Sequence, residues 1–268
     1  MSIVIPVAVV AGLGLFFGLC LSFASRVFAV KTDERIEKVR ELLPGVNCGA
    51  CGFSGCDGMA EAIVNRGVHP SKCPVNSQET VSAISRLMGL DGESVTPMIA
   101  RVICQGTPAN VDKKYDYQGL QDCHAANQLA GGSSSCRYGC IGLGSCMRAC
   151  PFDAIEIEDG LARIIPEKCK GCGICVVECP KGIIRMVPAD MGYTVLCANR
   201  DKGVVARKSC KVACIGCMKC QKVCPAGAIT VEDNLAVIDY EKCENCGKCE
   251  EVCPQSTIHD ILHERVPA

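Results

Sequence analysis

The chain opens on its longest apolar run. Residues 1–25, MSIVIPVAVVAGLGLFFGLCLSFAS, carry no charge. A helix over about residues 3–24 would be about 33 Å long at about 1.5 Å per residue. That is enough to cross a hydrocarbon core about 30 Å thick. Arg26 and Lys31 follow the run instead of preceding it. A cleaved signal peptide carries its basic region first, whereas basic residues after a span hold that side in the cytoplasm. The pattern predicts a single-pass anchor in the cell (inner) membrane, with the rest of the chain on the cytoplasmic side. Cys20, inside the run, reads as a small apolar packing residue.

Past residue 31 the apolar positions take on a period. In TDERIEKVRELLPG (32–45), Ile36, Val39 and Leu43 recur at helical spacing. Thr32 is the predicted N-cap, acids follow it, and Pro44 with Gly45 ends the run. A second helix is predicted over residues 76–89, with Asn76 as cap, Glu79 three residues on and Gly89 at its end. GLDGES then reads as a linker. Farther on the period shortens. AIEIEDGLARI and AITVEDNLAVI alternate on either side of Asp159-Gly160 and Asp233-Asn234, pairs suited to tight hairpin turns. RVIC (101–104) and TVLC (194–197) are strand-like runs, each ending in Cys. Helices first and short strands later make the expected class α+β.

These elements are too small to supply an ordinary core. The chain has 268 residues but only six Phe, five Tyr and no Trp. It has 25 cysteines, far above ordinary usage. Disulfide scaffolds belong to short secreted chains. Structural zinc favours C-x2-C pairs, often with histidine. The four histidines, at 69, 124, 259 and 263, fall outside the cysteine runs. Iron–sulfur clusters favour three closely spaced cysteines and a fourth before proline, and that pattern dominates here. The net charge of −1 gives no bulk attraction for nucleic acid.

The first set is CGACGFSGC followed by CP, or Cys48, Cys51, Cys56 and Cys73. Zinc also accepts this spacing, so the set is weaker alone than in company. Two later stretches align without a gap at an offset of 74, beginning at Cys136 and Cys210. Each is a two-cluster ferredoxin. In that motif three cysteines of one run share a cluster with the last cysteine of the other. The second copy then gives Cys214, Cys217, Cys220 and Cys253 as one set, and Cys243, Cys246, Cys249 and Cys224 as another. The first copy gives Cys169, Cys172, Cys175 and Cys150, and a damaged set of Cys140, Cys146 and Cys179, with Leu143 where the other copy has Cys217.

Five cysteines remain: Cys104, Cys123, Cys136, Cys197 and Cys210. One must repair the Leu143 site and four can form a sixth cluster. If Cys104 corresponds to Cys197, the first copy carries 19 extra residues, and Cys123 lies within them. That register favours Cys123 as the repair and Cys104, Cys136, Cys197 and Cys210 as a cluster shared between copies. A rival register pairs Cys123 with Cys197 and makes Cys104 the repair. A third uses Cys136, close to Cys140. The expected cofactors are six 4Fe-4S clusters, five resting on motifs and the sixth on the cysteine count and the repeat. The expected division is an anchor over 1–25, a four-cysteine module over 26–75, a helix and linker over 76–98, and ferredoxin-like repeats over 99–186 and 187–268.

A membrane helix, a C-x2-C-x4-C-x16-C module and tandem ferredoxin units, in this order, resemble the iron–sulfur B component of the Rnf complex, the membrane-bound ferredoxin:NAD oxidoreductase that moves ions (Na+ or H+). The resemblance covers nearly the whole chain and points to a long form with more cluster sites than the minimal one. It implies a subunit that takes electrons from soluble reduced ferredoxin and relays them to membrane-bound redox subunits. The implied partners are a membrane-embedded pair, flavin-bearing subunits and an NADH- and FMN-binding subunit. The chain itself has no G-x-G-x-x-G after a strand, and no catalytic residue is predicted in it. Two other readings stay open, a cluster enzyme with its own substrate and a polyferredoxin-type subunit of a hydrogenase or formate dehydrogenase. Finally, Arg200 to Lys222 holds seven basic residues and one acid, a run suited to an acidic ferredoxin or simply to water.

Overall fold

The computed structural model describes residues 4–28, 33–92 and 94–262. Helix α1 (Val4–Val27) is apolar all round. A 20-residue span from Val7 to Arg26 has a mean hydropathy of 2.3, and none of it is buried against the rest of the chain. Among the described residues the span packs against no other element, the condition of a helix solvated by lipid.

Helix α2 (Glu34–Leu42) begins at Asp33, whose carboxylate accepts the Arg35 backbone N–H at 2.9 Å. The expected cap Thr32 lies outside the described residues, and Asp33 fills the role. Helices α3 (Gly55–Arg66) and α4 (Gln78–Met88) complete this segment. Ser77 caps α4, accepting from the Thr80 N–H at 3.2 Å. Asn76, the expected cap, is buried one residue earlier, and its amide donates to the Pro70 carbonyl at 2.9 Å. That bond ties the start of α4 to the 3-10 turn Pro70–Lys72 that delivers Cys73. Gly89, at φ +65°, closes the helix. Val39, Met59, Ile63 and Ile84 are fully buried between the three helices.

The rest of the described chain is one motif built twice. The first copy runs β1 (Met98–Val102), α5 (Cys123–Gln128), α6 (Ser145–Arg148), β2 (Ile155–Glu158), β3 (Leu161–Ile164), α7 (Ile174–Glu178) and β4 (Ile184–Pro188). The second runs β5 (Tyr193–Val195), α8 (Gly203–Ser209), α9 (Lys219–Val223), β6 (Ile229–Glu232), β7 (Leu235–Ile238), α10 (Lys248–Glu251) and β8 (Ile258–Asp260). In each copy the first strand pairs antiparallel with the last, Val102 against Ile184 and Val195 against Ile258. The middle strands form hairpins, β2–β3 and β6–β7. Their turn residues Asp159, Gly160, Asp233 and Asn234 all have positive φ, as a type I′ turn requires.

The buried set repeats with the chain. Cys146, Ile155, Ala162, Cys175 and Ile184 in the first copy correspond to Cys220, Ile229, Ala236, Cys249 and Ile258 in the second. Two-stranded sheets are marginal alone, and cysteine takes much of the place that aliphatic side chains would fill.

Equivalent bonds fix the register of the first strands. The Ile103 N–H donates to the Ile183 carbonyl at 2.8 Å, and the Leu196 N–H to the Thr257 carbonyl at 2.7 Å. Cys104 and Cys197 therefore leave their strands at the same point of the motif. Contacts between copies include Gln105 Nε2 on the Ser256 carbonyl (3.0 Å), Arg101 on the Met191 carbonyl (2.6 Å) and Ser135 Oγ on the Ser209 carbonyl (3.0 Å).

Gly171 shows how tightly a cysteine loop lies on the first strand. It has φ +67°, and a Cβ there would run into the Met98 carbonyl. Its counterpart Asn245 also has positive φ, and its side-chain oxygen accepts from the Gly192 N–H at 3.0 Å. Gly171→Ala should lower the thermal midpoint of the iron-loaded protein by about 4–8 °C, the shift expected for about 1 kcal/mol in a unit of this size. Anaerobic calorimetry checks this, and an unchanged midpoint would show that the loop can move off the strand.

Candidate functional site

None of the 25 cysteines is in a disulfide. Cys20 is exposed on α1, and the other 24 sit on the loops that join the elements or in the first turns of the short helices.

In the first segment Cys48 and Cys51 sit on the loop before α3, Cys56 in its first turn, and Cys73 after the 3-10 turn. The Cys56 N–H donates to Asn47 Oδ1 at 2.8 Å, which pins the loop to the helix start. The N–H groups of Val75 and Asn76 point at the Cys73 sulfur, and Cys48 and Cys51 lie within electrostatic reach of it.

Among the described residues of the ferredoxin copies, four small spaces are each lined by four thiols. Cys150, Cys169, Cys172 and Cys175 line one, with Phe152, Ile155 and Ile164 as walls. Cys224, Cys243, Cys246 and Cys249 line its equivalent, against Ile229 and Ile238. Cys214, Cys217, Cys220 and Cys253 line a third, against Val231 and Ile258. Cys140, Cys146 and Cys179 line the fourth, and the fourth sulfur there belongs to Cys123, at the N-terminus of α5. Asp122 and Ser145 hold it in place. The Cys123 N–H donates to Ser145 Oγ at 2.8 Å, and Ser145 donates to Asp122 at 2.9 Å.

Cys104, Cys136, Cys197 and Cys210 meet between the copies. The Cys104 sulfur accepts from the Gly106 and Cys140 N–H groups at 3.3 and 3.4 Å. The Cys197 sulfur accepts from the Asn199 and Cys214 N–H groups, both at 3.4 Å. Each sulfur thus carries the same pair of donors at the same place in its copy. Cys136 lies within electrostatic reach of Cys104, Cys197 and Cys210. The buried Asn199 donates to the Cys136 sulfur at 3.6 Å and to Ser209 at 3.2 Å. Sequence reading passed over Asn199 and Gly106, whose only signal is their place two residues after a cysteine.

The donor chemistry fits iron–sulfur clusters. Burial pushes the thiols of Cys104, Cys146, Cys175, Cys197 and Cys249 up to about 12, and Cys220 up to about 11. Thiols this dry stay protonated unless a cation replaces the proton, so the cavities favour metal over bare thiolate. The N–H donors oppose the burial effect at Cys104 and Cys197, as hydrogen bonds to a charged sulfur do. One zinc draws its sulfurs to about 3.8 Å from each other, from a Zn–S bond of about 2.3 Å. Among the described residues no three His, Cys, Asp or Glu side chains converge on such a single-ion site.

The quartets also adjoin one another in series. Cys48 is within electrostatic reach of Cys172, and Cys175 of Cys146. The Cys140 N–H meets the Cys104 sulfur, and the Cys214 N–H meets the Cys197 sulfur. Cys220 is within reach of Cys249.

Comparison with known proteins points to iron–sulfur clusters. Residues 43–75 match a family described as an Fe-S cluster, and residues 137–186 and 213–257 match two families described as 4Fe-4S dicluster domains. The chain is 46% identical over 243 residues to the B component of the Na(+)-translocating ferredoxin:NAD(+) oxidoreductase complex of Acetobacterium woodii, covering 90% of this chain and 73% of that protein. It is 42% identical to the B component of the ion-translocating oxidoreductase complex of Methanosarcina acetivorans, covering 88% and 90%. It is 37% identical to the B component of the proton-translocating ferredoxin:NAD(+) oxidoreductase complex of Clostridium ljungdahlii, covering 90% and 86%. With an apolar N-terminal helix, three iron–sulfur family matches and relatives matched over most of their length, this chain belongs to the family of B components of the Rnf-type ion-translocating oxidoreductase complexes.

Proposed function

We propose that this chain is the iron–sulfur electron-transfer subunit of an ion-translocating ferredoxin:NAD oxidoreductase, taking electrons from reduced ferredoxin and relaying them to membrane-bound redox subunits. The serial adjacency of the quartets carries the reading. A 4Fe-4S cluster held by four thiolates supplies one-electron exchange with no proton or group to transfer. The protein's part is to hold the thiols, keep them dry and keep neighbouring sets close.

Six quartets do this in our reading. The terminal pair are Cys48, Cys51, Cys56 and Cys73 at one end, and Cys224, Cys243, Cys246 and Cys249 at the other. Between them lie the sets containing Cys172, Cys123, Cys136 and Cys217. The position of Cys123 beside Cys140, Cys146 and Cys179 supports it as the fourth ligand in place of Leu143. The matching donors on Cys104 and Cys197 support a shared site with Cys136 and Cys210. No quartet is short of a thiol, which favours a relay over an enzyme with an open iron. The family match weighs against a hydrogenase or formate dehydrogenase subunit.

Membrane association follows from α1 and from the complexes to which the relatives belong. Arg26, in the last turn of the span, supports a cytoplasmic position for the quartets. The division proposed is the anchor (1–25), the four-cysteine module (26–75), the helix and linker (76–98) and two ferredoxin-like repeats (99–186 and 187–268). The partners proposed are the embedded pair, the flavin-bearing subunits and an NADH- and FMN-binding subunit.

Three outcomes test the reading. Cys123→Ala should lose roughly four iron atoms, one cluster's complement. Adding Leu143→Cys to that variant should restore them, because position 143 corresponds to Cys217. Iron analysis and low-temperature EPR measure both, and full iron in the single variant would remove Cys123 from the ligand set.

Cys210→Ala should likewise lose roughly four iron atoms while the Cys217 signal persists, and electron transfer between the copies should stop. A wild-type iron content with transfer intact would make Cys210 a spectator.

Removing residues 1–30 should leave a soluble protein with its full iron content, since every quartet begins at or after Cys48. Its electron transfer to the membrane subunits should fail in reconstituted vesicles. Full activity there would show that docking alone positions the Cys48 quartet.

A further inference from the structure

Two quartets of the second copy reach the surface, through exposed Cys217 and exposed Cys246. Their surroundings have opposite charge. Around Cys246, residues 239–251 hold Asp239, Glu241, Glu244, Glu250 and Glu251 against Lys242 and Lys248. Lys242 is already engaged by Asp239 at 2.8 Å. Around Cys217 the balance reverses. Of the basic run, Arg200 pairs with Asp233 at 3.1 Å and Lys211 donates to the Ala109 carbonyl at 2.8 Å. Lys202, Arg207, Lys208, Lys219 and Lys222 are exposed, and among the described residues none of them makes an ion pair.

These cations lie on two helices that meet at the Cys217 loop. Gly203, the first residue of α8, packs so closely on Ile215 that a Cβ there would stand 2.7 Å from its carbonyl oxygen. Ile215 lies between Cys214 and Cys217, and Met218 and Lys219 line the same thiol space. Three apolar side chains on the same helix and loop are also exposed: Val204 (73%), Val205 (52%) and Met218 (49%). Exposed apolar residues interspersed with unpaired charge are the composition of a transient docking site.

The first copy differs here. Ser145 stands where the second copy has Lys219, while Arg148 keeps the charge of Lys222 but faces Asp122 at 3.7 Å. Before Cys136 the chain reads AGGSSS and turns, whereas before Cys210 it reads VVARKS and forms α8. A free cation at the position of Lys219 is therefore not required by the motif. A solvated surface explains the lysines but not the bare valines and methionine among them.

We infer that the face formed by α8, α9 and the Cys217 loop is the docking surface for a small acidic one-electron carrier, which meets this chain at the Cys217 quartet and not at the Cys246 end. The inference rests on the electron-transfer reading above. An acidic carrier is drawn to the first surface and repelled by the second, and the preference fades as salt screens charges beyond about 10 Å at 0.1 M.

The test uses the full-length, iron-loaded chain in detergent and an acidic 2[4Fe-4S] ferredoxin as probe. The association rate is read by stopped flow and the affinity by titration, each at low and high ionic strength. Arg207→Glu with Lys208→Glu should slow association about tenfold at low salt and flatten the salt dependence, with iron content unchanged. Glu244→Lys with Glu251→Lys should leave association within about twofold of wild type. Wild-type association in the first variant, or a large change in the second, would overturn the assignment of the face. Protection of Lys208 from amine labelling in the assembled complex, before any ferredoxin is added, would give the face to another component of the complex and overturn it too. If the wild-type protein neither binds the ferredoxin at any salt nor is reduced by it, the electron-transfer reading itself falls.

Discussion

Everything in the ferredoxin copies depends on the burial of thiols. The four sheets have two strands each, and the strands are three to five residues long. Hairpins of that size do not hold themselves together in water. Cysteines share the space between them with small and branched aliphatic side chains, and take positions where a larger domain would put leucine or phenylalanine. A buried thiol is a modest hydrophobe and links nothing. Replacing its proton by iron changes both facts, because four thiolates on one cluster join loops far apart in sequence. In such a design metal binding and folding are one process.

The same constraint explains the loops. A thiolate in a dry cavity needs N–H donors, and in a short loop the backbone supplies them. Gly106, Cys140, Asn199 and Cys214 donate to the two strand-end sulfurs. Ala228 and Thr257 donate to Cys224 and Cys253, both at 3.3 Å. Between the cysteines, Gly171 and Asn245 take positive φ, where each loop lies against the strand or turn beside it.

The repeat is not exact. The two copies share buried positions, hairpin turns and strand pairing, yet they differ in surface and in one ligand. The first copy has Leu143 in place of a cysteine, and a helix inserted near it brings Cys123 to the gap. The second copy carries the exposed cations and apolar residues around Cys217.

Most of the architecture was legible in the residues, because its signals are local. The charge-free run of residues 1–25, the hairpin dipeptides and the cysteine spacings each depend on neighbours a few positions away. The helix starts were off by one, at Thr32 and Asn76, because several polar residues in a row can cap a helix and packing chooses among them. Asn76 was taken out of that role by a buried bond to Pro70. The five cysteines outside the motifs could not be sorted by spacing, since three registers satisfied the count equally. Only the strand pairing of Ile103 with Ile183 and Leu196 with Thr257 makes Cys104 and Cys197 equivalent, and only the fold of the insertion carries Cys123 to Cys140. Local sequence determines turns, periods and ligand spacing. The meeting of residues a hundred positions apart is decided by how the two copies pack, and no short stretch of sequence contains that.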